Sequence, residues 1–161
     1  YHSETGEILM DCRKLEMRVQ TPKFEGVSVA TRGRKSLKHL DVLSSSSYGT
    51  VAVLSLDGQE LAKSRRLLLV YNTDSLTEGD AYSLDRSVKL VWGKGDTLMK
   101  TGRLEATLAS DSGDLKLYAL ALNGERRQQI PVSYLGGELR ILLDTAALKH
   151  GPTPFFELAA E

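Results

Sequence analysis

Residues 48–75, YGTVAVLSLDGQELAKSRRLLLVYNTDS, decide the fold. They read as two strands joined at Asp57-Gly58, a dipeptide that readily takes the positive φ of hairpin turns. Val51, Val53 and Ser55 alternate with Ala52, Leu54 and Leu56, so both faces of the first strand are largely apolar. The second strand, residues 67–71 (LLLVY), is a continuous apolar run of the kind that sits in the middle of a packed sheet. The pattern predicts the centre of an all-β, antiparallel β-sandwich, Ig-like or jelly-roll-like, and the stretch itself carries no chemistry.

The flanks repeat the signal. Short runs of Val, Ile, Leu and Thr are cut by Gly, Asn, Asp and Ser about every 8–12 residues, which is sandwich or barrel spacing. Residues 7–10 read as a first strand. Leu15, Met17 and Val19 alternate with Glu16, Arg18 and Gln20, predicting one buried apolar face and one wet face. Thr21-Pro22 ends that strand, and residues 24–30 form the next. The basic segment 31–38 reads as a turn, residues 40–43 as a strand, and the serine run 44–47 as a loop.

Residues 72–85 form the longest irregular stretch, and loops of that length in a compact domain tend to be functional. Residues 88–92 read as a short strand ended by Gly93-Lys94-Gly95-Asp96. Beyond it a meander is expected, with a hairpin at Asn123-Gly124, a pairing of 129–134 with 138–143 across Gly136-Gly137, one helical turn over 144–149, and a closing strand through Phe155, Phe156 and Leu158. The total comes to roughly ten to twelve strands.

The chain has 161 residues, enough for one domain that buries about 70% of its unfolded surface. Residues 1–161 are expected to form a single domain excised from a longer, multidomain chain. Lys and Arg number 21, as do Asp and Glu, so the formal net charge is +0. That balance gives no electrostatic argument for nucleic acid or an anionic membrane as partner. Cys12 is the one cysteine, which excludes an intrachain disulfide. No apolar run approaches the ~20 residues of a membrane-spanning helix.

Catalytic motifs are missing. His2, His39 and His150 are far apart in sequence and fit no metal-ligand spacing. There is no GxSxG elbow, P-loop or GxGxxG, and residues 93–96 read as a strand-to-strand turn rather than a phosphate loop. Cys12 has no neighbouring histidine to make it a nucleophile. No pair of carboxylates stands out as the acid and base of glycoside hydrolysis. No cofactor is expected. Ca²⁺ is the one ion that acidic turns such as 111–114, or the loop with Asp74, Glu78, Asp80 and Asp85, could ligate through oxygen.

Aromatic residues are the remaining candidates, since flat ring faces stack on pyranose C–H groups. Trp92 follows an apolar strand and precedes a glycine-rich turn, while Tyr71 and Tyr82 flank the long loop. With the polar loop residues Asn72 and Asp74 they make a candidate carbohydrate-binding set. The competing reading makes Trp92 a core anchor.

Several stretches together resemble the C-terminal β-sandwich accessory domain of large bacterial glycoside hydrolases. Residues 4–7 (ETGE), 15–19 and 21–27 (TPKFEGV) are similar to the "strand, TP, apolar strand" opening of that domain. Residues 52–58 (AVLSLDG) with 64–69 (SRRLLL) resemble its "SLDG…L..SRRLL" hairpin, and 118–126 (YALALNGER) its "YALDLNGRR" hairpin. Two places depart from the family: Asn72-Thr73-Asp74-Ser75 stands where "NTGM" is usual, and Lys94 stands in place of an expected proline.

The resemblance implies a non-catalytic accessory domain of a secreted polysaccharide-degrading enzyme. Such a domain packs on and stabilises the catalytic domain of the same chain, in a secreted, periplasmic or cell-surface setting. It assigns no catalytic residue, because the acid and nucleophile of these enzymes lie on the barrel. The alternative expectation is a carbohydrate-binding module that uses the loop aromatics, with polysaccharide as partner.

Overall fold

Every regular element but one is a strand, because alternating and β-branched apolar residues fill short runs that turn residues interrupt. The computed structural model describes residues 1–28 and 33–160. In its first third lie β1 (Ile8–Asp11), β2 (Glu16–Gln20), β3 (Phe24–Ser28), β4 (Lys35–Ser36), β5 (Leu40–Ser45) and β6 (Thr50–Ser55). Then come β7 (Arg66–Asn72), β8 (Ser75–Thr77), β9 (Ala81–Tyr82), β10 (Lys89–Val91) and β11 (Thr97–Met99). The remainder is β12 (Arg103–Ala109), β13 (Leu115–Leu120), β14 (Arg126–Ile130), β15 (Ser133–Leu135), β16 (Glu138–Asp144) and β17 (Phe155–Ala160). A 3-10 turn, Thr145–Ala147, sits where the single helical turn was expected.

Two antiparallel sheets make the sandwich. The large one has eight strands in the order β1-β2-β3-β6-β7-β17-β13-β14, and the small one five, β15-β16-β12-β5-β4. Their inner faces meet in one core: Val51, Val53, Leu67, Leu69, Phe156 and Leu158 from the large sheet, Leu40, Val42, Leu104, Ala106, Leu139 and Ile141 from the small. Strand β17 is inserted between β7 and β13, pairing Phe156 with Leu69 on one side and with Ala119 on the other.

The predicted central pair is observed, with β6 and β7 in register from Thr50↔Asn72 to Ser55↔Leu67. Gly58 takes φ 77°, as the Asp-Gly reading requires, but the connection spans residues 56–65 rather than two residues. Asp57 organises that loop. Its carboxylate accepts hydrogen bonds from the Ser55 and Ser64 hydroxyls and the Arg65 and Gln59 amides, and Leu61 drops into the core.

A buried carboxylate ties the sheets together. Glu25, on β3, is 1% exposed and accepts from the backbone N–H groups of His39 and Leu40 at the start of β5 (2.9 and 2.8 Å to Oε2). The His39 ring nitrogen Nδ1 lies 2.7 Å from its Oε1. Each carboxylate oxygen therefore has a partner, the condition for burying a charge.

The two sheets differ in their outward faces. On the small sheet Leu139, Ile141 and Leu143 point inward, while outside Arg140 and Glu105 pair at 2.5 Å beside the exposed Leu142. On the large sheet the outward residues Leu54, Leu68, Val70 and Phe155 are also apolar, and they remain half-exposed. Gly26 belongs to this face. A Cβ there would stand 3.1 Å from both the Phe24 ring and Ala52, so the ring lies flat across the glycine. Beside the apolar area, Glu157 is buried between two cations, with Arg66 and Arg126 Nε each at 2.6 Å and the Arg126 guanidinium over the Tyr118 ring at 4.3 Å. Burial pushes its carboxyl up, but the two arginines outweigh this and hold it below the ordinary value.

Two readings are corrected. On β2 the alternation is inverted: Leu15 and Met17 are exposed and Glu16 is buried. The β1–β2 hairpin lies at the sheet edge, where no second layer reaches those apolar side chains, whereas Glu16 finds Lys35 Nζ at 2.6 Å and the Arg18 guanidinium. Gln129 and Ile130 belong to β14, so only Ser133–Leu135 pairs with β16 across Gly136-Gly137. The strand expected over 24–30 ends in the description at Ser28. Its last two residues, and Thr31 and Arg32 of the basic turn, lie outside the described residues.

Candidate functional site

Residues 73–100, which include the stretch expected to be irregular, leave the sandwich as an antiparallel arm. Its base is the ribbon β8–β11 (Ser75↔Met99 to Thr77↔Thr97) and its outer part the ribbon β9–β10 (Tyr82↔Lys89). Between them the chain kinks where Gly93 and Gly95 pass against Glu78. A Cβ on Gly93 would fall on the Glu78 carbonyl and 2.7 Å from the Asp80 nitrogen. The glycines are thus needed for close backbone passage. The segment 93–96 is the link between β10 and β11, not a simple strand-to-strand turn.

Asp80 holds the kink. Its carboxylate accepts from the backbone N–H of Thr77 and Gly93 (both 2.8 Å) and from Lys89 Nζ (2.8 Å). The Lys89 ammonium and then the Gly93 amide are the main reasons its carboxyl falls to about 2. Lys89 in turn sits 4.1 Å over the Trp92 ring and 5.6 Å from the centre of Tyr82, which Arg86 approaches from 5.3 Å. The result is a ladder of alternating cations and rings along the outer arm.

The structure separates the predicted binding set. Trp92 is 75% exposed, so it is a surface residue and not a core anchor. Tyr82 is half-buried beside it, joined through Lys89. Asp74 lies at the arm base, accepting from Tyr48 Oη at 3.1 Å and Arg86 at 2.7 Å. Tyr71 does not reach the surface: its side chain is 0% exposed on the inner face of β7, with its hydroxyl 2.9 Å from Ser45 Oγ and donating to the Arg103 carbonyl. It was expected beside the loop because it ends an apolar run, but the same run's parity points it into the core.

Asn72, the fifth member, is on the lip of a cleft of about 530 Å³ between the arm base and the β13–β14 turn. Met99, Ser75 and Thr97 line the arm side, Leu122, Asn123 and Arg127 the opposite side, and Pro152 and Pro154 part of the remainder. Sequence reasoning missed Lys89 and Arg86, considered Asp80 only as a Ca²⁺ ligand, and missed Arg127. The first three become neighbours only through ribbon register and the kink, for which the paired glycines 93 and 95 were the one available signal.

Of the acidic residues considered for Ca²⁺, Asp74, Asp80, Asp85 and Asp114 have other partners. Asp114 accepts from Ser112 and pairs with Arg65, and Asp85 accepts from Ser83 and Ser87. Among the described residues no group of three or more His, Cys, Asp or Glu is placed to hold a metal ion. No family model matches the chain, and no curated protein or solved structure matches it.

Proposed function

We propose that the chain is a non-catalytic accessory domain of a polysaccharide-degrading glycoside hydrolase, and that the outward face of its large sheet packs on the catalytic domain. One observation carries the reading: a sandwich needs one apolar face per sheet, and the large sheet has two. Leu54, Leu68, Val70 and Phe155 form a contiguous apolar area with no third layer over it, where on the small sheet the outward Leu43 and Leu142 stand among Asp41, Glu105, Thr107 and Arg140. The Arg66–Glu157–Arg126 group at its margin supplies the polar rim of an interface. The resemblance in the hairpins at 52–69 and 118–126 supplies the kind of neighbour.

The test is oxidative footprinting of Phe24, Leu68 and Phe155 in this chain alone and in the longer protein that carries it, together with glycan hydrolysis assays. The expected result is protection of those side chains only in the longer protein and no turnover by the isolated chain. Equal labelling in both, or turnover abolished by changing one carboxylate, overturns it.

A second reading rests on the exposure of Trp92, whose ring stands open beside Lys89 and Tyr82. It makes the arm a carbohydrate-binding platform. A glycan-array screen with Trp92→Ala and Tyr82→Ala decides it: specific binding lost in folded variants supports it, and no binding by the unmodified chain removes it.

A further inference from the structure

We propose that the cleft at the arm base is a binding site for a small carboxylate with an apolar body, the carboxylate being held by Arg127. The inference stands apart from the docking face, because it concerns the isolated chain and different residues.

Arginines in this molecule are consistently paired. Among the described residues only Arg13 and Arg127 make no ion pair with a carboxylate. Arg13 lies in the exposed β1–β2 turn, whereas Arg127 lines the cleft. One terminal nitrogen donates to the His150 carbonyl at 3.3 Å, two residues from the Pro152 that lines the cleft, which leaves most of its five donors without a protein partner. Among the described residues that line the cleft none is an aspartate or glutamate, and the guanidinium is the one charged group.

The remaining surface fits the other end of such a ligand. Met99, Leu122, Pro152 and Pro154 provide apolar walls, and Asn72 and Asn123 add amide groups at the lip. A volume of about 530 Å³ lies within the roughly 300–1,000 Å³ typical of small-molecule sites. Planar, bidentate recognition of a carboxylate is what an unpaired guanidinium does best. An apolar body beside it is held by area the walls would otherwise expose.

The experiment uses the chain as it is, with 2-naphthoate as the probe and amide chemical shifts as the readout. The expected result is saturable shifts grouped around Asn72, Asn123 and Arg127, with a dissociation constant of roughly 1 mM or below for a ligand of that size. Naphthalene-2-carboxamide, which keeps the ring and loses the charge, is expected to bind ~5-fold or more weakly, as is 2-naphthoate to Arg127→Gln. Arg127 is exposed on an edge strand, and an unchanged melting temperature shows that the variant keeps its fold. Absence of saturable shifts, shifts grouped elsewhere, or equal binding by the amide or by Arg127→Gln overturns the proposal. Galacturonate, a carboxylate on a polar ring, is expected to bind more weakly than 2-naphthoate, and equal binding overturns the apolar half of the assignment.

Discussion

The Arg86 guanidinium, at the tip of the arm, donates to the Asp74 carboxylate at its base across 2.7 Å. The arm is therefore a closed hook, and Arg86 holds the left-handed backbone (φ 58°) to close it. Removing the latch by Asp74→Asn should raise hydrogen exchange severalfold over residues 81–91. The sandwich should keep its melting temperature within ~2 °C, since a solvent-exposed pair contributes little to global stability. Unchanged exchange in the arm would show that the ribbons hold the hook without the latch.

Acid should open the same arm from its other anchor. The Asp80 carboxyl sits at about 2 when folded, below the ~3.9 of a free aspartate. Its contribution is therefore complete above pH ~4 and is lost as the pH falls through about 2. Trp92 emission reports this, because Lys89 bridges Asp80 and the Trp92 ring. A single acid transition near pH 2 is expected, moved upward in Lys89→Gln, and a transition at the same pH in both would detach Asp80 from the signal.

Gly93→Ala should damage the arm selectively. The new methyl would collide with the Glu78 carbonyl, backbone against backbone, and neither ribbon can yield without losing its register. Near-UV dichroism from Trp92 should collapse while the far-UV melt of the sandwich persists. Loss of both together would mean that arm and sandwich unfold as one unit.

Glu25→Ala should be the most damaging of these changes. It strands the His39 and Leu40 amides in a buried site, which costs ~3 kcal/mol. In a chain of this size that corresponds to a fall in melting temperature of ~6–12 °C. Glu25→Gln keeps an acceptor and should cost visibly less. A small effect of Glu25→Ala would show that water replaces the carboxylate.

Where local pattern and tertiary context agree, the sequence is a sufficient guide. The β6–β7 pairing and the Asn123-Gly124 turn were legible because period-two burial and turn chemistry are local properties. Glu16 defeated that reasoning, since alternation cannot say which face of an edge hairpin another layer will cover. The arm was legible only as a length of polar residues. Its ribbons are two or three residues long, and what orders them, Asp80 with Lys89 and Asp74 with Arg86, are pairings across a kink. Of the residues considered for binding, Trp92, Tyr82 and Asp74 share the arm and Asn72 lines the cleft, while placing Tyr71 needed strand parity. Arg127 could not be found at all, because its distinction, the lack of a carboxylate partner, is a property of the folded chain.

The placement of β17 governs how the molecule can be assembled. The first five strands of the large sheet form one meander and β13–β14 a separate hairpin, and β17 alone bridges them. Each piece therefore presents an open backbone edge until residues 155–160 pair with both. The sheet cannot close progressively from its N-terminal side. Completing the large sheet thus depends on contacts distant in sequence, a topology that slows folding and prolongs the exposure of open strand edges to aggregation.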